Sequence, residues 1–177
     1  FDRFVVLAGL TKFPEASQVV IVWPKGILST AKVPTSDVFK QQFAVMEEFT
    51  AKFSCERVNP ERPCNPILDM RVDFTASIKR KALAGAQLVG PKGQVWKPVE
   101  LADDPKNREK VDPESGITSL TFKAPFPAQV EFKVVLPKAL QDETGRGLVN
   151  QSKFPLVVKT DEYSPLVKFA APFGILE

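Results

Sequence analysis

Sixteen prolines are scattered along this chain of 177 residues, and they exclude long helices before any other feature is weighed. Each proline removes an amide donor and clashes with the preceding turn, so helix interiors seldom hold one. Between the prolines run short segments that alternate apolar and polar residues. Met70-Arg71-Val72-Asp73-Phe74 is one, and Val130-Glu131-Phe132-Lys133-Val134 is another. Phe49, Ala51, Phe53 and Cys55 share one face of a third, with Thr50, Lys52 and Ser54 on the other. A period of two places apolar side chains on one side of a half-buried strand. Further strand candidates are residues 4–7, 18–23, 41–45, 94–99, 119–123 and 154–158. Many short strands separated by turn residues predict an all-β chain folded as an antiparallel immunoglobulin-like β-sandwich. Residues 79–86 are the one helix candidate, two turns at most, and read equally as an irregular crossing between sheets.

The chain is also similar to itself. Shifted so that Phe13 falls on Phe126, segment 13–45 lies over segment 126–158 without a gap, with identity at seven of 33 positions. Phe13-Pro14 falls on Phe126-Pro127, and Trp23-Pro24-Lys25-Gly26-Ile27 falls on Leu136-Pro137-Lys138-Ala139-Leu140. Val19, Ile21 and Trp23 overlie Phe132, Val134 and Leu136, so the apolar phase agrees as well. Ile21 is therefore expected at a core position like that of Val134, with Val20 facing outward like Lys133. Pro24 and Pro137 are each expected to end a strand.

A repeat of this kind divides the chain. Residues 47–162 have the length of one complete sandwich domain. Residues 1–46 match only the C-terminal half of such a domain, a partial second β unit at the N-terminus. Two or three strands alone are marginally stable in water, so this half is expected either to pack on the second domain or to be completed by other chain. Residues 163–177 read as a linker or the start of a following domain. A chain opening at Phe1 with no basic-then-apolar leader is expected to be a processed or trimmed product.

Composition narrows the chemistry. The chain has no histidine, which removes Ser-His-Asp and Cys-His triads, histidine metal sites and the commonest general base together. No catalytic, cofactor-binding or metal-binding residue is assigned, and the chain is not expected to be an enzyme. A net charge of +3, evenly spread, is too mild for a nucleic-acid footprint. No apolar run approaches the roughly 18 residues of a membrane-spanning helix, so no direct membrane insertion is expected.

One motif closes each unit. A strand ends at Pro137, and Asp142-Glu143-Thr144-Gly145-Arg146-Gly147 then supplies turn chemistry, because glycine adopts positive φ and Asp142 can bond back to backbone amides. A strand ending in Leu-Pro, followed by Asp-x-x-Gly-Arg and a closing strand, resembles a bacterial immunoglobulin-like module. A wider set of motifs is similar to the N-terminal region of the large bacterial alpha-2-macroglobulin-like proteins. These are Trp23-Pro24-Lys25-Gly26-Ile27, Phe53-Ser54-Cys55-Glu56-Arg57, Pro63-Cys64-Asn65-Pro66-Ile67 and Phe169-Ala170-Ala171-Pro172-Phe173-Gly174-Ile175. The resemblance implies a long periplasmic or exported chain of successive macroglobulin-like domains, in some cases anchored at the inner membrane. Such chains trap proteases through a cleavable bait segment, and many carry a Cys-x-Glu-Gln thioester. Neither Cys55-Glu56-Arg57-Val58 nor Cys64-Asn65-Pro66-Ile67 matches the thioester motif, so the family's functional residues do not carry over. The implied role is a structural scaffold. Its partners would be neighbouring domains of the same chain, and target proteases would be met through domains not present here. A tandem adhesion or surface-layer module that binds glycan or protein is the alternative.

Two cysteines separated by eight residues, in a β-rich exported module, favour a Cys55–Cys64 disulfide over two free thiols. Other features compete for a role. Residues 103–114 are the most charged stretch and read as an exposed connection in preference to a calcium loop. Lys79-Arg80-Lys81 reads as a solvated turn in preference to an anion site. Trp23 reads as core, while Trp96 is open between core and a sugar site. Asn150-Gln151-Ser152 fits a glycosylation sequon, which matters only in a eukaryotic secretory route.

Overall fold

The computed structural model describes residues 9–102 and 112–163. Apart from short 3₁₀ turns, every regular element among them is a β-strand. Branched and aromatic side chains on alternate positions fit a pleated surface better than a helix. The fold is all-β with antiparallel sheets, as the alternation predicts. The chain divides into two compact units, Phe1–Glu48 and Phe49–Glu177, against the sequence-based boundary of 46/47.

In the first unit, β1 (Gln18–Trp23) pairs antiparallel with β2 (Phe39–Ala44), placing Val19 opposite Phe43 and Ile21 opposite Gln41. The second unit holds β3 (Ala51–Cys55), β4 (Met70–Lys79), β5 (Gln87–Val89), β6 (Val95–Trp96), β7 (Gly116–Phe122), β8 (Glu131–Val135) and β9 (Leu156–Lys159). These form two antiparallel sheets, ordered β3-β4-β7 and β6-β5-β8-β9. Met70, Val72, Phe74, Ala76 and Ile78 of β4 are all buried, so its alternation persists over ten residues. With Leu120 and Phe122 of β7 they meet Leu88, Phe132, Val134 and Val158 of the second sheet in one core. Phe122, Phe126 and Phe132 are fully buried, each side chain contributing about 1.5–3 kcal/mol over exposure.

The crossing between the sheets is not a helix. Lys79 ends β4, Arg80–Leu83 makes a single 3₁₀ turn, and β5 begins at Gln87. Leu83 and Ala86 are buried three positions apart, which fixes a short tether and leaves no length for two helical turns. Strand 94–99 shrinks to β6, since Pro98 has no amide to donate to a ladder. Gly90 lies where β5 leaves its sheet. A Cβ there would stand 2.7 Å from Trp96 and 2.9 Å from Phe132, so only glycine lets these rings meet edge to face. The candidate strand at 4–7 and the tail from residue 164 lie outside the described residues.

The repeat is visible in the backbone. Positive φ occurs at Ala16 and Gln129, at Gly26 and Ala139, and at Lys32 and Gly145, each pair related by the shift that carries Phe13 onto Phe126. The hairpin after the strand is also duplicated. Thr35 donates to the Ile27 carbonyl at 2.9 Å, and Leu148 donates to that of Leu140 at 2.9 Å. The isolated bridges Leu28–Pro34 and Gln141–Gly147 correspond in the same way. β1 ends at Trp23 and β8 at Val135, both at the Pro-Lys turn.

The gapless alignment needs one correction. Val19 pairs with Phe43, whereas its counterpart Phe132 pairs with Val158, so Val158 corresponds to Phe43 and not to Val45. Two extra residues in the second copy lie between the hairpin and β9, where Gln151–Lys153 forms a 3₁₀ turn. An even insertion keeps every side chain on its face. The phase prediction holds, with Val20 half exposed and Ile21 less so. The burial prediction does not. Ile21 is only partly covered, whereas Val134 is fully buried.

Candidate functional site

The cysteines anchor the most constrained loop of the second unit. Cys55 ends β3, the edge strand of one sheet, and is bonded to Cys64 with their Cα atoms 5.6 Å apart. Cys64 is buried, and its backbone lines the edge of the other sheet. Its amide donates to Lys159 at 2.9 Å, and the amide of Asp161 donates to its carbonyl at 2.8 Å. The disulfide therefore straps the edge of one sheet to the edge of the other, and covers backbone groups that β9 would expose.

Between the cysteines, the Asn59 side chain accepts from the amides of Glu61 and Arg62 and shapes the turn. Arg62 then reaches Asp161 with two parallel bonds, Nε to Oδ2 at 2.7 Å and Nη2 to Oδ1 at 2.8 Å. This fork geometry is the strongest form of ion pair. Arg57, Glu56, Glu61 and Arg62 are all exposed, and within this solvated rim Arg62 also serves as a clasp whose partner, far along the chain, has no local signature. Reduction of Cys55–Cys64 should lower the unfolding free energy by roughly 2–3 kcal/mol, the entropy of closing a loop of about ten residues. Chemical denaturation with and without reductant measures this, and coincident curves would contradict the strap.

The second organised feature is the turn after β8. Asp142 is buried, and its Oδ1 accepts from the amide of Thr144 at 2.9 Å, its hydroxyl at 2.8 Å and the amide of Arg146 at 2.9 Å. Oδ2 accepts from Arg146 Nε at 2.8 Å. Burial pushes the carboxyl up. The bonds from Arg146 and Thr144 outweigh it and hold Asp142 below the usual carboxylate range. The first unit carries the same scheme with a hydroxyl. Ser29 Oγ accepts from the Val33 amide at 3.1 Å, while the Ser29 amide donates to Val33 at 2.9 Å, as Asp142 does to Arg146 at 3.0 Å. This is turn architecture, and the sequence reading of Asp142 as a backbone acceptor matches it.

The remaining candidates resolve into structural roles. Lys79 pairs with Glu114 at 3.0 Å and Lys81 pairs with the same carboxylate, whose affinity for protons the two lysines lower. Arg80 Nε donates to Ser115 Oγ at 2.8 Å, so the basic triplet is engaged by residues 114–115. Trp96 packs on Phe132 and Phe126 with ring centroids 5.3 and 6.0 Å apart. Trp23 is half buried, beside the hairpin residues Ile27, Val33 and Pro34. The Asn150 side chain donates to Ala51 O at 2.7 Å and accepts from Ala51 N at 3.0 Å, extending the edge of β3. A glycan on that nitrogen would break the first of these bonds. Residues 103–111 lie outside the described residues. Among those described, no group of His, Cys, Asp and Glu could hold a metal ion, and no helix is long and apolar enough to cross a membrane.

Fold and site together define a disulfide-strapped, all-β unit, preceded in the chain by a two-stranded unit whose hairpin turns match its own. No family model, curated protein or solved structure matches the chain.

Proposed function

We propose that this chain is a scaffold segment of a bacterial alpha-2-macroglobulin-like protease trap, exported to an oxidising compartment and non-catalytic in itself. The observation that supports this reading is the hairpin-and-turn framework duplicated at one constant spacing, which is how a chain of tandem β modules looks from inside. The Cys55–Cys64 strap fits an oxidising compartment. The polar groups of the strap loop and of the Asp142 turn bond to one another, which suits a rigid spacer better than a site that receives a ligand. Trp96, the tryptophan open to a sugar-binding reading, packs on Phe132 and Phe126, which favours the scaffold over a glycan-binding module.

The test uses the longer polypeptide to which the chain would belong. Incubated with a broad-specificity protease, that polypeptide should form a protease adduct that survives denaturing electrophoresis, whereas the chain 1–177 alone should neither inhibit nor form one. Failure of the longer polypeptide to capture protease would overturn the trap. Hydrolytic turnover by the chain alone, abolished by replacing one serine or carboxylate, would overturn the scaffold.

A further inference from the structure

In the second unit, the face of β8 and β9 is covered. Phe126, Phe132 and Val134 are buried against the sheet β3-β4-β7, and the outer edge of β8 pairs with β5 through residues 133–135. The corresponding residues of the first unit are open. Phe13 and Phe43 are each about half exposed, at 52% and 49%, and Val19 and Ile21 are only partly covered. They line an apolar groove of about 530 Å³. Among the described residues, β1 pairs with β2 alone, so the backbone of residues 20–22, equivalent to 133–135, has no partner on its outer side. A flat, apolar edge of this kind is a template for another strand.

The internal repeat specifies the occupant. We infer that the groove and the outer edge of β1 are filled by a front half-sandwich of the same polypeptide, lying N-terminal to Phe13 as residues 49–125 lie N-terminal to Phe126. It supplies one short strand antiparallel to residues 20–22. It also supplies a sheet whose alternating apolar residues cover Phe13, Val19, Ile21 and Phe43. Correspondence of three positive-φ positions, the hairpin bridge and the turn hydrogen bonds carries this assignment. Protease capture plays no part in it.

Hydrogen exchange tests the inference on two forms: the chain 1–177, and the same chain extended upstream in its reading frame by a segment comparable to 49–113. In the chain 1–177 the amides of Val20 and Val22, which face the outer edge of β1, should exchange far faster than those of Lys133 and Val135, which serve as the standard of a folded sample. Extension should slow the Val20 and Val22 amides by roughly 100-fold or more, independent of protein concentration, as expected on passing from an open edge to a core strand. In the extended form Ile21→Asp should abolish that protection and Val20→Asp should leave it. Protection of the Val20 and Val22 amides already present in 1–177 would overturn the inference, because the face would then be closed within the chain. Protection that rises with concentration would assign the face to a second copy, and no change on extension would remove the front half altogether.

Discussion

Val134→Asp should unfold the second unit, or bring it close to unfolding. Val134 is fully buried between β5 and β9, among Leu88, Phe132 and Val158. A carboxylate there finds no cation and no donor, and it must either remain charged in a low-dielectric core or take up a proton at neutral pH. The expected loss is roughly 4 kcal/mol or more, which approaches the whole stability of an ordinary domain. Lys133→Asp, one residue away and facing solvent, should change stability by about 0.5 kcal/mol or less. Urea denaturation followed by tryptophan fluorescence in a Trp23→Phe background measures both, since the remaining Trp96 lies against Phe132 and reports on the same core. Equal losses at the two positions would mean that β8 does not present alternate faces to core and water.

Removal of the Asp142 carboxylate is the second large perturbation. In Asp142→Ala the amides of Thr144 and Arg146 and the Arg146 guanidinium lose their buried acceptor in a turn that is otherwise largely exposed, and the loss should be roughly 2 kcal/mol. Asp142→Asn keeps one carbonyl oxygen for the amides but sets an NH2 where Oδ2 accepts from Arg146 Nε, so it should cost less than alanine while still losing that bond and the charge. The difference between wild type and Asp142→Asn should depend on pH in a defined direction. Because the folded carboxyl is held below its ordinary value, its contribution is complete above about pH 4, the unfolded value. It then declines as pH falls toward the depressed folded value. The gap between the two proteins should therefore hold from neutrality to about pH 4 and close as pH is lowered further. A gap that widened on acidification would show that Asp142 is not held as a carboxylate.

Much of the architecture is legible residue by residue. Alternation in 130–134 locates β8, Pro24 and Pro137 mark where β1 and β8 stop, and two cysteines eight residues apart are close enough to bond. The repeat spacing that carries Phe13 onto Phe126 is visible in the sequence too, although identity alone could not establish it. Backbone conformation supports it, because Ala16 and Gln129 both take positive φ although neither is a glycine. Lys32, likewise, stands where the second copy has Gly145. Side-chain identity has drifted while the turn has not, since a hairpin is held by backbone hydrogen bonds that many side chains permit.

Other features had no local signal. The pairing of β4 with β7 slips between Asp73 and Ile78, although the alternation of β4 is unbroken. At that slip the amide of Glu143 donates to Ser77, and Gly116 leaves room for the Ser77 side chain. The Arg62–Asp161 clasp and the Asn150–Ala51 edge bond each span 99 residues. The insertion of two residues before β9 is invisible to a gapless comparison.

The division follows from the range over which each force acts. Strand phase, strand ends and turn positions depend on pleat geometry, on the missing amide of proline and on backbone freedom within a few residues, so the sequence by itself determined them. Which strands meet, where a register slips, and whether Ile21 or Val134 is sealed from water depend on how distant segments close one core and satisfy its buried backbone groups. Only the tertiary structure decided those.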